Sequence, residues 1–151
     1  MIGIKAIASY IPEKKQNNIE RGKKFGESED FIRNKIGALN LPIKAADQET
    51  SDIAICAIQA LLNKKTELNL TEVDALIIVT QNPDGEGLPH TAAIVQGKMG
   101  LPTTIAAFDI SLGCSGFVHA LYVMQGFLVS SGLKSGILVT ADPYSKVVDV
   151  D

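Results

Sequence analysis

Ala106-Ala107-Phe108-Asp109-Ile110-Ser111-Leu112-Gly113-Cys114-Ser115-Gly116-Phe117-Val118-His119-Ala120-Leu121 joins two apolar runs through a Ser-Leu-Gly turn, with a lone cysteine at the junction. The first run has the make-up of a buried strand and the second that of a long helix. The spacing puts Cys114 at the first helical position, among the unpaired N–H groups of a helix start. Those donors and the helix dipole favour a thiolate, the reactive form of cysteine. Gly113, Ser115 and Gly116 are small and leave room for a substrate carbonyl beside the backbone. That is the geometry of an acyl-transfer nucleophile. The alternative is an inert, buried thiol, the commoner fate of a free cysteine.

The rest of the chain extends this unit in both directions. Downstream, residues 115–131 are apolar nearly all round, which predicts a helix buried on most sides. Gly132 ends it, residues 135–141 form another buried strand, and residues 142–151 are a polar tail. Five residues of helix turn through about 500°, so His119 points roughly 140° away from Cys114. It is expected to pack or hydrogen-bond in the core. Upstream, residues 104–110 are a buried strand and residues 91–99 a helix stopped by Gly100 and Pro102. Residues 81–90 hold Pro83, Gly85, Gly87 and Pro89 and must be a loop, at the end of the buried strand 75–80. His90 in that loop is either a general base or, as the pattern favours, a solvated histidine or helix cap.

Before that strand, residues 50–63 form a helix capped by Thr50 or Ser51, with Ile55, Ile58, Leu61 and Leu62 on one face and Cys56 packed without chemistry. Ser28 to Gly37 carries a helix start and stop and reads, on spacing, as a small amphipathic surface helix. Residues 13–27 read as a loop with room for a short helix. Residues 2–11 alternate like a strand closed by Pro12. Buried strands alternating with helices predict an α/β fold, a mostly parallel sheet with helices on both faces.

With 151 residues, 46% hydrophobic and 21% charged, the composition suits one soluble domain. A net charge of −3 without a basic stripe argues against nucleic acid. No run is long enough to span a bilayer and no secretory signal opens the chain, so no membrane and a reducing cytoplasm are expected. Cys56 and Cys114 make no disulfide framework, and without Cys-x-x-Cys or paired histidines no metal is expected.

Four blocks give the chain a resemblance to the N-terminal half of a β-ketoacyl-acyl-carrier-protein synthase III, among the thiolase-fold condensing enzymes. They are Ile4 to Pro12, Ser28 to Gly37, Leu76 to Thr80 with the Pro89 loop and Ala92-Ala93, and Ala107 to Phe117, the last the most specific. Thr140-Ala141-Asp142 is similar to the strand end that follows. The resemblance implies one half of a duplicated, thiolase-like fold, with residues 1–151 as its N-terminal domain and the C-terminal half absent. It implies that Cys114 accepts an acyl group from a thioester and that the acyl-enzyme then condenses with malonyl-acyl carrier protein, in fatty acid biosynthesis or a related pathway. No cofactor is implied beyond the coenzyme A or carrier-protein thioester used as substrate.

Phe31 and Lys35 stand where the family usually has a tryptophan and an arginine that hold coenzyme A. Lysine keeps the charge but lacks the planar fork that binds phosphate in two places. The departures shift the expected donor from acyl-coenzyme A toward acyl carrier protein. Leu88 matches a residue that reaches across a homodimer interface to shape the acyl pocket. The family's catalytic histidine and asparagine lie in the second half, so the chain alone is expected not to condense. It is also expected to self-associate through apolar surface left uncovered. The competing readings are a non-catalytic condensing-enzyme-like partner, a thiolase-fold acyltransferase of secondary metabolism, and a structural domain with a buried thiol.

Overall fold

The computed structural model describes residues 2–64 and 68–148. The chain forms two compact units: residues 11–47 with 143–151, and residues 1–10 with 48–142. In the smaller, β1 (Lys15–Asn17) pairs antiparallel with β2 (Asn40–Pro42), Gln16 facing Leu41. Asn17 then caps α1 (Asn18–Lys24), its Oδ1 accepting from the N–H groups of Ile19 (2.9 Å) and Glu20 (3.2 Å). Three-residue strands are too short to show alternation, so the sequence gives no sign of them.

The helix expected from Ser28 to Gly37 is present and divided. Ser28 Oγ accepts from Phe31 N–H at 3.1 Å and starts α2 (Glu29–Phe31), which continues as a π-helical turn over Ile32–Ile36. Gly37, at φ +76°, closes it by donating to the Ile32 carbonyl at 2.9 Å. Only Ile32 of this segment is buried, against Gly22 of α1, as an amphipathic surface helix requires.

The larger unit alternates as predicted: α3 (Thr50–Leu62), β3 (Ala75–Val79), α4 (Thr91–Lys98), β4 (Ala106–Ile110), α5 (Gly116–Ser130) and β5 (Gly136–Thr140). The three strands are parallel in the order β4-β3-β5, with Ile77 beside Phe108 on one side and Leu138 on the other. Leu76 and Ile78 pack with Ala54 and Ile58 of α3 and Ala92 and Val95 of α4. Ala75 and Ile77, on the opposite face, pack with Met124 and Leu128 of α5. Helices therefore cover both faces, and every residue of β3 is buried.

Three expectations are corrected. Residues 2–12 make no ladder, and Ile4, Ile7 and Ile11 are exposed. A strand needs a neighbour with a free edge, and among the described residues none pairs with this segment; Lys64 Nζ holds the Ile7 carbonyl instead, at 2.7 Å. Helix α3 is capped at Glu49, whose N–H donates to Asp52 Oδ2 at 2.8 Å. Thr50 and Ser51 lie inside its first turn, fully buried, Thr50 Oγ1 donating to the Asn82 carbonyl and Ser51 Oγ to Asp84 Oδ2 (2.6 Å). Helix α5 buries one stripe, Gly116, Ala120, Met124 and Leu128, while Phe117, Val118, Tyr122, Val123 and Val129 are exposed. The described residues supply a packing layer on one side of it only.

Two consequences are measurable. A Cβ at position 116 would lie 2.5 Å from Cγ1 of buried, β-branched Val79, whereas position 126 of the same helix has open space. Gly116→Ala is expected to lower stability by about 1–3 kcal/mol, and Gly126→Ala to raise it by up to about 1 kcal/mol, in thermal or denaturant unfolding.

Asp52 has competing influences. Partial burial pushes its carboxyl up, but the Lys98 ammonium at 2.6 Å and the Glu49 N–H together outweigh that and hold it below the ordinary carboxylate range. A lowered folded-state value gives stability that is present above the unfolded value, about 3.9, and lost as pH falls through the folded one. Asp52→Asn is therefore expected to lower the unfolding free energy at pH 7, by under about 1 kcal/mol for so exposed a pair, and the two proteins to converge in urea unfolding as pH falls through the folded-state value.

Candidate active site

The turn between β4 and α5 carries Cys114. Its position departs slightly from the expectation: the first helical residue is Gly116 and the cap is Ser115, so Cys114 stands just outside the helix. Gly116 N–H donates to the Gly113 carbonyl at 2.8 Å and closes the turn around the cysteine. Cys114 is exposed, and among the described residues no acceptor meets its N–H or that of Ser115. A thiol beside unspent backbone donors can attack an electrophilic carbonyl and have the resulting oxyanion held. Cys56, half-buried on α3, lies in no such turn.

Carboxylates that sequence reasoning passed over hold this region in place. Asp109, on β4, accepts from the Thr91 and Ala92 N–H groups, each at 2.7 Å, and so caps α4 across the sheet. Asp142 Oδ1 accepts from Gln81 N–H (3.1 Å), Asn82 Nδ2 (2.5 Å) and Thr80 Oγ1 (3.4 Å), tying the carboxyl ends of β3 and β5 together. Asp84 takes both the N–H and the hydroxyl of Ser51, fixing the 81–90 loop to α3. For Asp109 and Asp142 the trace in the sequence is an acidic residue within, or directly after, an apolar run; Asp84 stands in the polar loop and leaves no such trace.

Each histidine commits one ring nitrogen to a backbone carbonyl. His90 is the residue capping α4, as one of its readings anticipated, but through its backbone, while its ring Nε2 donates to the Ala107 carbonyl at 2.9 Å. His119 is not in the core: it is exposed, and its Nδ1 donates to the Ser115 carbonyl at 2.9 Å. The remaining predicted site residues are divided between the two units. Phe31 and Lys35 sit on one helical segment of the smaller unit, both exposed, Phe31 lining an apolar groove with Phe25, Ile32 and Ile36. Leu88 is in the larger unit, 88% exposed at the tip of the 81–90 loop.

Among the described residues no three His, Cys, Asp or Glu side chains are grouped to hold a metal, and no helix is long and apolar enough to cross a membrane.

Known proteins share this arrangement. The family described as 3-oxoacyl-[acyl-carrier-protein] synthase III matches residues 108–151, the stretch that contains Cys114. The β-ketoacyl-[acyl-carrier-protein] synthase III of Neisseria gonorrhoeae is 33% identical over 147 residues, covering 97% of this chain and 45% of that protein. The crystal structure of the synthase III from Thermus thermophilus superposes with a TM-score of 0.87 at 32% identity, over 98% of this chain and 45% of that one. OleA from Xanthomonas campestris, at 19% identity and a TM-score of 0.75, shares the fold alone. The chain spans a little under half the length of the curated relatives it matches. Along nearly its whole length the chain is similar to a little under half of a β-ketoacyl-acyl-carrier-protein synthase III, and it has the thiolase-like fold.

Proposed function

We propose that this chain carries the acyl-accepting half-site of a β-ketoacyl-acyl-carrier-protein synthase III. The observation that carries the reading is the exposed Cys114 thiol, held in the β4–α5 turn beside N–H groups with no acceptor among the described residues. The Cys114 thiolate attacks the carbonyl carbon of an acyl thioester, and the carbonyl oxygen becomes an oxyanion accepting from the Cys114 N–H. The carbon–sulfur bond of the donor breaks, the carrier leaves as a thiolate and takes up a proton, and the acyl group stays on Cys114. A malonyl thioester on acyl carrier protein then loses carbon dioxide. Its carbanion attacks the acyl carbon, releasing the Cys114 thiolate and a β-ketoacyl product.

In this reading Phe31 offers an aromatic face and Lys35 a cation to the donor's carrier group, with acyl carrier protein favoured over coenzyme A because lysine binds phosphate as a point charge. Leu88, on a loop pinned by Asp84, reaches the acyl pocket of a second copy in a cytoplasmic homodimer. The condensation step needs groups that stabilise the malonyl-derived enolate. His90 and His119 both donate to backbone carbonyls, so these groups are assigned to the part of the family fold that the chain does not span. Residues 1–151 accordingly act as one half of a duplicated fold.

Two experiments test the reading. Iodoacetamide is expected to modify Cys114 faster than half-buried Cys56, by on the order of tenfold, in peptide-resolved mass spectrometry. Intact mass after mixing with acetyl, butanoyl and longer acyl thioesters of coenzyme A and of acyl carrier protein is expected to show one acyl adduct that Cys114→Ala abolishes. An adduct that survives Cys114→Ala, or equal and slow alkylation of both cysteines, would sink the proposal in favour of a structural thiol.

A further inference from the structure

Gln81 is the second residue beyond the carboxyl end of β3, and its side chain has no part in the polar network around it. Its neighbours Thr80 and Asn82 are buried and bonded inward, Asn82 N–H to Thr80 Oγ1 at 3.0 Å and Asn82 Nδ2 to Asp142. Gln81 itself is exposed, with its backbone N–H fixed on Asp142 Oδ1 at 3.1 Å. Its carboxamide lies over Gly113: a Cβ on that glycine would be 2.7 Å from Oε1, 3.4 Å from Cδ and 3.9 Å from Nε2. Among the described residues neither Oε1 nor Nε2 has a hydrogen-bond partner, although each can make two bonds. A rigidly mounted backbone thus presents a free donor and a free acceptor across the residue that precedes Cys114. Consecutive Cα atoms are about 3.8 Å apart, so an amide over Gly113 is within reach of a three- or four-carbon group carried on the sulfur.

We infer that Gln81 is a specificity-determining residue for the group bound to Cys114, favouring acyl groups with a hydrogen-bonding substituent two or three atoms from the carbonyl over plain alkyl chains of the same size. The acyl nature of that group rests on the function proposed above; the contact between Gln81 and whatever Cys114 carries does not. A free amide gains a hydrogen bond from a hydroxyl or keto substituent and loses its water to no purpose beside a methylene.

The test separates the two. Wild type and Gln81→Leu, which keeps the bulk without the polar atoms, are treated with 2-hydroxyethyl and with propyl methanethiosulfonate, reagents of matched size. The rate ratio at Cys114 is read by intact mass and divided by the ratio for glutathione. Wild type is expected to favour the hydroxyethyl reagent by about 3- to 10-fold, and Gln81→Leu and Gln81→Ala to bring the ratio to about one. Equal ratios in all three proteins overturn the inference. The same proteins are then offered 3-hydroxybutanoyl and pentanoyl thioesters. Acylation of Cys114 with the same preference, lost in Gln81→Leu, extends the inference to acyl groups, and acylation without preference overturns it. A reagent preference without acylation by any thioester keeps the Gln81 contact and removes the proposed function instead.

Discussion

Strand β3 is buried on both faces, and most of the larger unit is determined by what must cover it. Leu76 and Ile78 need one apolar layer and Ala75 and Ile77 another, so α3 and α4 lie on one side and α5 on the other. A parallel neighbour on each edge satisfies its backbone, and the connections that return to those edges have to be helices. The close approach of α5 follows from the same demand. Gly116 brings the helix start against Val79, and Gly113 lies under the Gln81 side chain, with Cys114 exposed between the two glycines.

The polar residues at that end solve a second problem. Three strands and the 81–90 loop finish close together, and each leaves backbone donors that need acceptors. Asp142, Asp109 and Asp84 provide them, one for the ends of β3 and β5, one for the start of α4 and one for the start of α3. Carboxylates used this way fix loops without filling the surface above Cys114 with bulky side chains. The Gln81 carboxamide is left out of that network and lies over Gly113.

Much of this was legible in the residues. The runs at 75–80, 104–110 and 135–141 announce buried strands because a strand covered on both faces has no polar side to alternate with. The Gly-Cys-Ser-Gly turn marks a nucleophile candidate because small residues leave room for a substrate beside a thiol at a helix start. Other features were not legible. Strands β1 and β2 are too short for periodicity, and Thr50 and Ser51 look like caps until their hydroxyls are seen to serve the 81–90 loop. The 2–11 segment alternates well yet forms no strand, because pairing depends on a partner edge that no local pattern reports.

The sequence by itself determined the order of the elements, the α/β class, the nucleophile candidate and the likeness to the synthase III proteins, since each rests on patterns a few residues long or on direct similarity. Only the tertiary structure decided the strand order β4-β3-β5, the single buried stripe of α5, the diversion of both histidines to backbone carbonyls, and the placement of Gln81 over Gly113. The physical reason is common to all four. Each joins groups far apart along the chain or turns on which side of an element is covered, and burial and hydrogen-bond satisfaction are settled in space, where neighbours in sequence carry little information.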